Sequence, residues 1–420
     1  MSEGLGVILI LILAFMGMPL FAVMGALGSL LFYFAEIDIS AVAVEIYRLA
    51  SSPTLLTIPL FTLAGTMLAK SKSPERLLSF GNASFGWMPG GIGIVSLVTC
   101  AFFTAFTGAS GVTIIALGGL LYPMLRQVNY DEDFSLGLMT TGGSLGLLFA
   151  PSLPLLLYGI VAKVDISQLF LAGILPGTFL IIVLSLYSMY KGKHFRENKS
   201  FSSSELIKSF MLAKWELFII PLVLCSIYLG IVTLTEASAL TAFYSFILCF
   251  FIHKDLKLKI DFPLVVKESM SLVGAILIIL CCAMGLTNYL IDEEIPMKIL
   301  HWIEAGVSNK YTFLLLLNCF LLIVGSLMDI FSAIIVVVPL ILPLAVQFDI
   351  HPVHMAIIFL TNLEIGYITP PIGINLFIAS YRFDKPVLKL YRASFPFLIL
   401  LLLSLLVITY VPELSLIWIK

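Results

Sequence analysis

Three places in the chain set hydroxyl and amide side chains around residues that interrupt a helix. Thr107, Gly108, Ser110, Gly111 and Thr113 surround the first, and Thr141 and Ser144 precede the second, Ala150-Pro151-Ser152-Leu153-Pro154. Asn362 and Asn375 flank the third, Thr369-Pro370-Pro371-Ile372-Gly373. A hard cation such as sodium takes several oxygen ligands, and carbonyls freed at a helix break together with Ser, Thr and Asn supply them without fixed charge. The half-helix that follows a break also points partial positive charge and unpaired N–H groups outward, which suits a carboxylate. The chemistry of such residues is the coordination of small ions. A plainer reading stands beside it, because small and hydroxylated residues also hydrogen-bond between packed membrane helices.

Two acids fall inside apolar segments, Asp329 and Glu364, and such charges are functional by default. Each has a structural alternative. Asp329 would serve as the N-cap of the helix after it, and Glu364 would pair with a cation such as Arg382 or snorkel to the interface. His351 and His354 flank Pro352 and read as a short solvated loop, since a metal would need further ligands there. No His-Glu-x-x-His helix and no phosphate-binding Gly-rich loop with its lysine is present, which argues against a metalloprotease or an ATP-driven pump. The six cysteines show no Cys-x-x-Cys spacing and read as packing residues.

The elements that must position these residues are membrane helices. The 420 residues are 60% hydrophobic and 11% charged, more apolar than a water-soluble fold can bury. A net charge of −2 gives no electrostatic case for nucleic acid. Uncharged runs long enough to cross the hydrocarbon core recur from end to end, so the lipid bilayer is the surrounding medium. The N-terminus lacks a basic region and a cleavage site, so the first apolar run is expected to be retained. That run, Leu5 to Ala35, is too long for one straight span, and Gly17-Met18-Pro19 is where it would divide. Asp38 to Ser52 and Asp292 to Asn309 read as interfacial helices.

Backbone that leaves the helix at membrane depth must be buried in protein or face a water-filled cavity. The three interruptions therefore read as re-entrant hairpins or broken helices at a site. They also repeat: Pro151 falls 219 residues before Pro370, Pro176 falls 220 before Pro396, and Tyr122-Pro123 matches Leu342-Pro343. Lysine and arginine gather on the cytoplasmic side of short loops. Residues 191–214 and 253–268 are lysine-rich, and the loop after the later break carries Arg382, Lys385, Lys389 and Arg392, whereas the one after the earlier break has Lys163 alone. The copies are thus expected to be inverted. The fold class is an all-α polytopic membrane protein with inverted-topology repeats, re-entrant hairpins and broken helices. Residues 1–190 form the first repeat, 191–215 a cytoplasmic connecting arm and 216–420 the second repeat.

The chain resembles the large membrane subunit of the tripartite ATP-independent periplasmic (TRAP) transporters. The stretches that carry the likeness include Gly17-Met18-Pro19-Leu20-Phe21-Ala22, Ile58-Pro59-Leu60-Phe61, Pro89-Gly90-Gly91, Ser110-Gly111, Ala150-Pro151-Ser152-Leu153-Pro154, Leu171-Ala172-Gly173-Ile174-Leu175-Pro176-Gly177, Met328-Asp329 and Thr369-Pro370-Pro371-Ile372-Gly373-Ile374-Asn375-Leu376-Phe377. The chain departs from the family at Gly108-Ala109-Ser110-Gly111-Val112-Thr113 and at Leu147-Leu148-Phe149-Ala150-Pro151. The resemblance implies an elevator-type sodium symporter of the bacterial inner membrane, importing a small organic carboxylate. A periplasmic substrate-binding protein would deliver it, and a small four-helix membrane subunit would be a separate chain. Sodium ions would be the coupling ions, with no other cofactor. On that reading Gly108, Ser110, Gly111, Thr113, Asn362, Thr369 and Gly373 surround sodium, and Thr141, Ser144, Pro151, Ser152, Asp329, Pro370, Pro371 and Asn375 surround substrate. The nearest rival is a stand-alone sodium-coupled anion transporter, and an intramembrane enzyme would have only Asp329 and Glu364 as paired catalytic groups.

Overall fold

A computed structural model describes residues 3–36, 51–194, 201–294 and 309–419, with isolated positions at 38, 40, 43, 44, 46, 47 and 298. Among these residues all regular structure is helical. The helices are α1 (Glu3–Phe15), α2 (Leu20–Phe34), α3 (Thr57–Lys70), α4 (Ser73–Phe85), α5 (Gly91–Thr107), α6 (Ser110–Gln127), α7 (Glu132–Gly142), α8 (Leu153–Ala162) and α9 (Ile166–Lys191). They continue with α10 (Ser203–Tyr228), α11 (Leu234–Ile247), α12 (Asp261–Asp292), α13 (Lys310–Leu327), α14 (Ile330–Gln347), α15 (Pro352–Gly366), α16 (Ile374–Phe383), α17 (Val387–Tyr410) and the short α18 (Glu413–Leu416). Seven helices are long and apolar enough to cross a membrane, and up to nine spans result if each of two bent pairs counts as one.

Helices α5–α9 and α13–α17 are two copies of one unit. Asn129 and Asp349 both hold left-handed backbone before the third helix of their copy, 220 positions apart. The Ala150–Pro151 and Pro370–Pro371 bonds, both cis, are also 220 positions apart. Lys163 and Asp384 close the half-helix after each break, again with positive φ. Side-chain contacts set the relative direction of the copies. Glu132, which opens α7, accepts ion pairs from Lys385 at 2.8 Å and Lys389 at 2.7 Å, where α16 gives way to α17. The end of α9, at Lys191, and the start of α17, at Arg392, line one cleft with Tyr130 and Asp131. At the opposite end Tyr410, closing α17, donates to the Tyr311 carbonyl, and Lys310 donates to that of Asp349 just before α15. So α7 and α17 begin where α9 ends, while α15 begins where α17 ends. The two copies run in opposite directions.

Burial follows from this interlocking. Every residue of α15 after Pro352 is buried, and so is all of α7 from Phe134 onward. A helix apolar on all sides has no solvent or lipid face to present and belongs at the centre. Close crossings make room for it: a Cβ on Gly366 would lie 2.5 Å from the Gly325 carbonyl carbon, so only the glycines let α15 meet α13 at that distance.

The first apolar run is two helices, α1 and α2, parted at Met16–Pro19, around the expected division. Several other details differ from the sequence reading. Helix α4 was not anticipated; it turns 71° away from α3 and is too polar to register as an apolar segment. Residues 203–215 are the first half of the 26-residue helix α10, and their apolar side chains such as Ile207 and Phe210 are exposed on the chain's surface. The expected interfacial helix at 292–309 lies largely, and that at 38–52 partly, outside the described residues. His354 is no loop residue: it is buried in the first turns of α15, its ring nitrogens against Ser415 Oγ and the Thr409 carbonyl. His351 caps the same helix by accepting from the Val353 N–H. Cys100 and Cys249 are buried as packing residues, whereas Cys225 and Cys319 face outward.

Candidate functional site

The first hairpin turns at Gly108, whose φ of +64° suits a residue without a side chain. A Cβ there would sit 2.6 Å from the side chain of Leu153, so the tip rests against the first residue of α8. Ser110, which opens α6, donates from Oγ to Asn375 Oδ1 at 2.7 Å. Asn375 in turn donates from Nδ2 to the Thr140 carbonyl at 3.3 Å, close to the end of α7. Gly111 packs on Ile378 of α16. Thr113 and Thr104 share a hydrogen bond of 2.6 Å, and Thr104 donates to the Gly143 carbonyl at 2.7 Å. One hairpin tip and both breaks are therefore gathered around Ser110 and Asn375.

The two breaks are exposed to different degrees. Around the first, Thr141, Ser144, Pro151 and Ser152 are all buried. Ser144 Oγ donates to the Thr141 carbonyl at 3.3 Å, while the hydroxyls of Thr141 and Ser152 have no hydrogen-bond partner among the described residues. Around the second, Pro370, Pro371 and Ile372 are exposed. The Tyr391 hydroxyl donates to the Pro371 carbonyl at 2.6 Å, and Thr369 Oγ1 to that of Ile365 at 2.8 Å. Gly373 donates its N–H to the Ser326 carbonyl, tying this break to the end of α13.

Helices α6, α8 and α16 start at this junction, and none carries an acidic residue in its first turn. Their dipoles sum to a positive field where buried hydroxyl and carbonyl oxygens also gather, an arrangement able to hold an anion beside a cation. The fourth helix of the set, α14, is different. Asp329 caps it, with Oδ1 accepting from the N–H groups of Phe331 and Ser332 and Oδ2 bonded to the Ser332 hydroxyl. Its first N–H, on Ile330, donates to the Tyr367 hydroxyl at 2.6 Å.

Two expected residues stand apart from the junction. Asn362 donates to Asn318 Oδ1 at 2.7 Å, and Asn318 donates to Thr409 Oγ1 at 3.0 Å, a polar ladder joining α15, α13 and α17. Glu364 neither pairs with Arg382 nor snorkels. It is fully buried with neither oxygen bonded among the described residues, while Arg382 lies along α6, where a Cβ on Gly119 would clash with its guanidinium. The run Gly142-Gly143-Ser144-Leu145-Gly146 has the Gly-x-Ser-x-Gly spacing of a serine nucleophile turn, which sequence reading passed over. It follows a helix instead of a strand, and Ser144 bonds to a carbonyl and to no histidine. No group of three or more His, Cys, Asp or Glu among the described residues could hold a metal ion.

Antiparallel copies of a helical unit, each broken at membrane depth and meeting on buried oxygen atoms, define a membrane transport protein. The chain belongs to the tripartite ATP-independent periplasmic transporter family as its DctM component, whose family model matches residues 7–414. It is similar to the C4-dicarboxylate TRAP transporter large permease protein DctM of Pseudomonas aeruginosa, with 34% identity covering 93% of this chain and 92% of that one. The counterpart in Rhodobacter capsulatus is 32% identical over 97% and 96% of the two chains. The isethionate TRAP transporter permease protein DctMQ of Oleidesulfovibrio alaskensis is 33% identical over 94% of this chain, which spans 62% of it. Among solved structures, the YdaH transporter of Alcanivorax borkumensis shares the fold, with a TM-score of 0.60 at 13% identity over 88% of this chain and 87% of that one.

Proposed function

We propose that this chain is the large membrane subunit of a sodium-coupled importer of a small organic carboxylate. It works in the bacterial inner membrane with its lysine-rich loops in the cytoplasm. The observation that carries the reading is the junction at Ser110 and Asn375, where helix N-termini free of acidic residues meet oxygen-rich breaks from both copies. Sodium takes oxygens around Gly108, Ser110, Gly111, Thr113, Thr369 and Gly373; the carboxylate takes the N-terminal N–H groups of α8 and α16 with Ser152 and Asn375. Asp329 holds the start of α14 in place beside them.

Similarity to large permeases named for C4-dicarboxylates supports a dicarboxylate as the cargo. A fused relative, of which this chain spans 62%, supports a separate, small four-helix membrane subunit as partner here, and the family description supports delivery by a periplasmic substrate-binding protein. Residues 1–190 and 216–420 act as the two repeats, joined by 191–215. The junction and its broken helices travel across the bilayer as one elevator-like body against the remaining helices.

The test is uptake of labelled succinate into proteoliposomes that hold this chain and its small-subunit partner. Uptake requiring both a sodium gradient and the cognate binding protein is the expected result. Uptake that needs sodium but not the binding protein would instead make the chain a stand-alone transporter, and indifference to sodium would overturn the coupling.

A further inference from the structure

Glu216 and Glu364 are the two buried acids among the described residues, and their surroundings are opposite. Glu216 accepts from Arg76 at 2.6 Å and from Ser73 at 3.1 Å. Glu364 accepts from nothing: both carboxyl oxygens are buried without a hydrogen bond or an ion pair among the described residues. It lies in the last turn of α15, two residues from the crossing of Gly366 on Gly325 and six from Pro370, the first exposed residue of the second break.

The helices packed around α15 place Glu364 more closely. Tyr158 of α8 and Phe359 of α15 hold their rings 5.7 Å apart. Helix α8 runs away from its break and α15 runs toward its own, so the two are antiparallel. Five residues back from Tyr158 and five on from Phe359 bring Glu364 to about the level of Leu153, at the start of α8. The other elements against α15 are α9, α13, α14, α17 and α18 with the 145–148 turn. The titratable groups they and α15 carry in mid-helix or at the breaks are Tyr158, Cys319, Asp329 and Tyr367, none of them a cation. The basic residues Lys310, Lys191, Lys389 and Arg392 sit at helix ends, and the remaining groups (His354, Tyr187, Tyr190, Tyr311, Tyr391, Tyr410, Glu413) lie near the same ends.

An ionised carboxylate is not sustained where no counter-charge and no donor approaches it. A proton, unlike a metal cation, needs neither a cavity nor further ligands. We propose that Glu364 is a proton-binding site of the moving core. It is a carboxylic acid in the closed arrangement and becomes a carboxylate when motion of the second break admits water, the proton passing to that water; closing requires a proton to be taken back. The exposed segment Pro370–Ile372, held by the Tyr391 hydroxyl, is the element whose movement would admit water. Transport would then depend on protons as well as on the coupling ion.

This inference rests on the transport reading, and two measurements keep the two apart. The first is an infrared difference spectrum of purified wild type against Glu364→Gln at neutral pH, which needs no transport. A protonated-carboxyl band missing from the variant is expected, and its absence from the wild type overturns the proposal. The second is succinate uptake between about pH 6 and pH 9. The wild type is expected to lose uptake severalfold as pH rises, while the ratio stays near one in the variant. Equal pH profiles overturn the coupling. No uptake by either protein counts against the transport reading and with it the coupling, while the spectrum still decides the bound proton.

Discussion

Ser110 and Asn375 are 265 residues apart in the chain and 2.7 Å apart in the fold, joined by a buried hydrogen bond between the first turns of α6 and α16. Asn375 also reaches the Thr140 carbonyl, so one amide links the first hairpin, the first broken helix and the second break. Packed membrane helices need such ties, because lipid supplies no hydrophobic force to hold them together.

Asn375→Ala leaves the Ser110 hydroxyl and the Thr140 carbonyl unsatisfied in a dry interior, at a cost of about 1–3 kcal/mol. Ser110→Ala strips only one of the amide's two partners and should cost less. Thermal unfolding in detergent of both single variants and the double variant gives the coupling, expected at about 0.5–3 kcal/mol. Additive effects would show that the bond does not tie the copies together.

Asp329 separates capping from ligand binding. Asp329→Ala should lower stability by about 1 kcal/mol, and Asp329→Asn, whose amide oxygen still caps, by much less. Succinate uptake by Asp329→Asn is expected to stay within a few fold of wild type. A collapse of uptake with unchanged melting would place the carboxylate on sodium or substrate.

Two glycines should respond unequally to alanine. At Gly366 the added carbon meets the Gly325 backbone at 2.5 Å, so α13 and α15 must part, an overpacking cost of about 1–3 kcal/mol. At Gly119 it meets only the end of the Arg382 side chain, which can swing away. Melting temperatures should rank Gly119→Ala well above Gly366→Ala.

Arg76 bridges Glu216 and Asp255, fastening α4 and α10 to the loop before α12. Burial pushes the Asp255 carboxyl up, but the Arg76 hydrogen bond and charge outweigh it and hold the carboxyl below its ordinary value. A depressed carboxyl adds stability above its unfolded pKa, and that stability is lost as pH falls through the folded value. Wild type should therefore lose melting temperature more steeply than Asp255→Asn as pH drops below about 4. At neutral pH Arg76→Met should be the most damaging change at the cluster, about 3–5 kcal/mol, since it takes the counter-charge from buried Glu216 and half-buried Asp255.

Much of this fold is written in local sequence. Gly108 needs left-handed backbone, and the prolines at 151, 370 and 371 deny N–H groups to a helix, so the hairpin and both breaks are legible one residue at a time. Lysine placement made the inversion legible as well. Pairings between distant segments were not. Nothing near Ser110 names Asn375 as its acceptor, and nothing near Glu364 reveals that Arg382 is engaged on α6. Helix α4 escaped because its apolar side chains serve one face of a mostly polar stretch, and hydropathy averages over faces. The Arg76 cluster escaped with it.

The interlocking of the copies bears on how the protein is made. Ser110 leaves the ribosome 265 residues ahead of Asn375, which at about 5–20 residues per second is a delay of roughly a quarter of a minute to a minute. Throughout that interval the Ser110 hydroxyl at the hairpin tip is without its Asn375 acceptor. A nascent chain in that state depends on water, on the insertion machinery or on a companion subunit to shelter the tip, and a truncated product ending before α16 would have no means of completing itself.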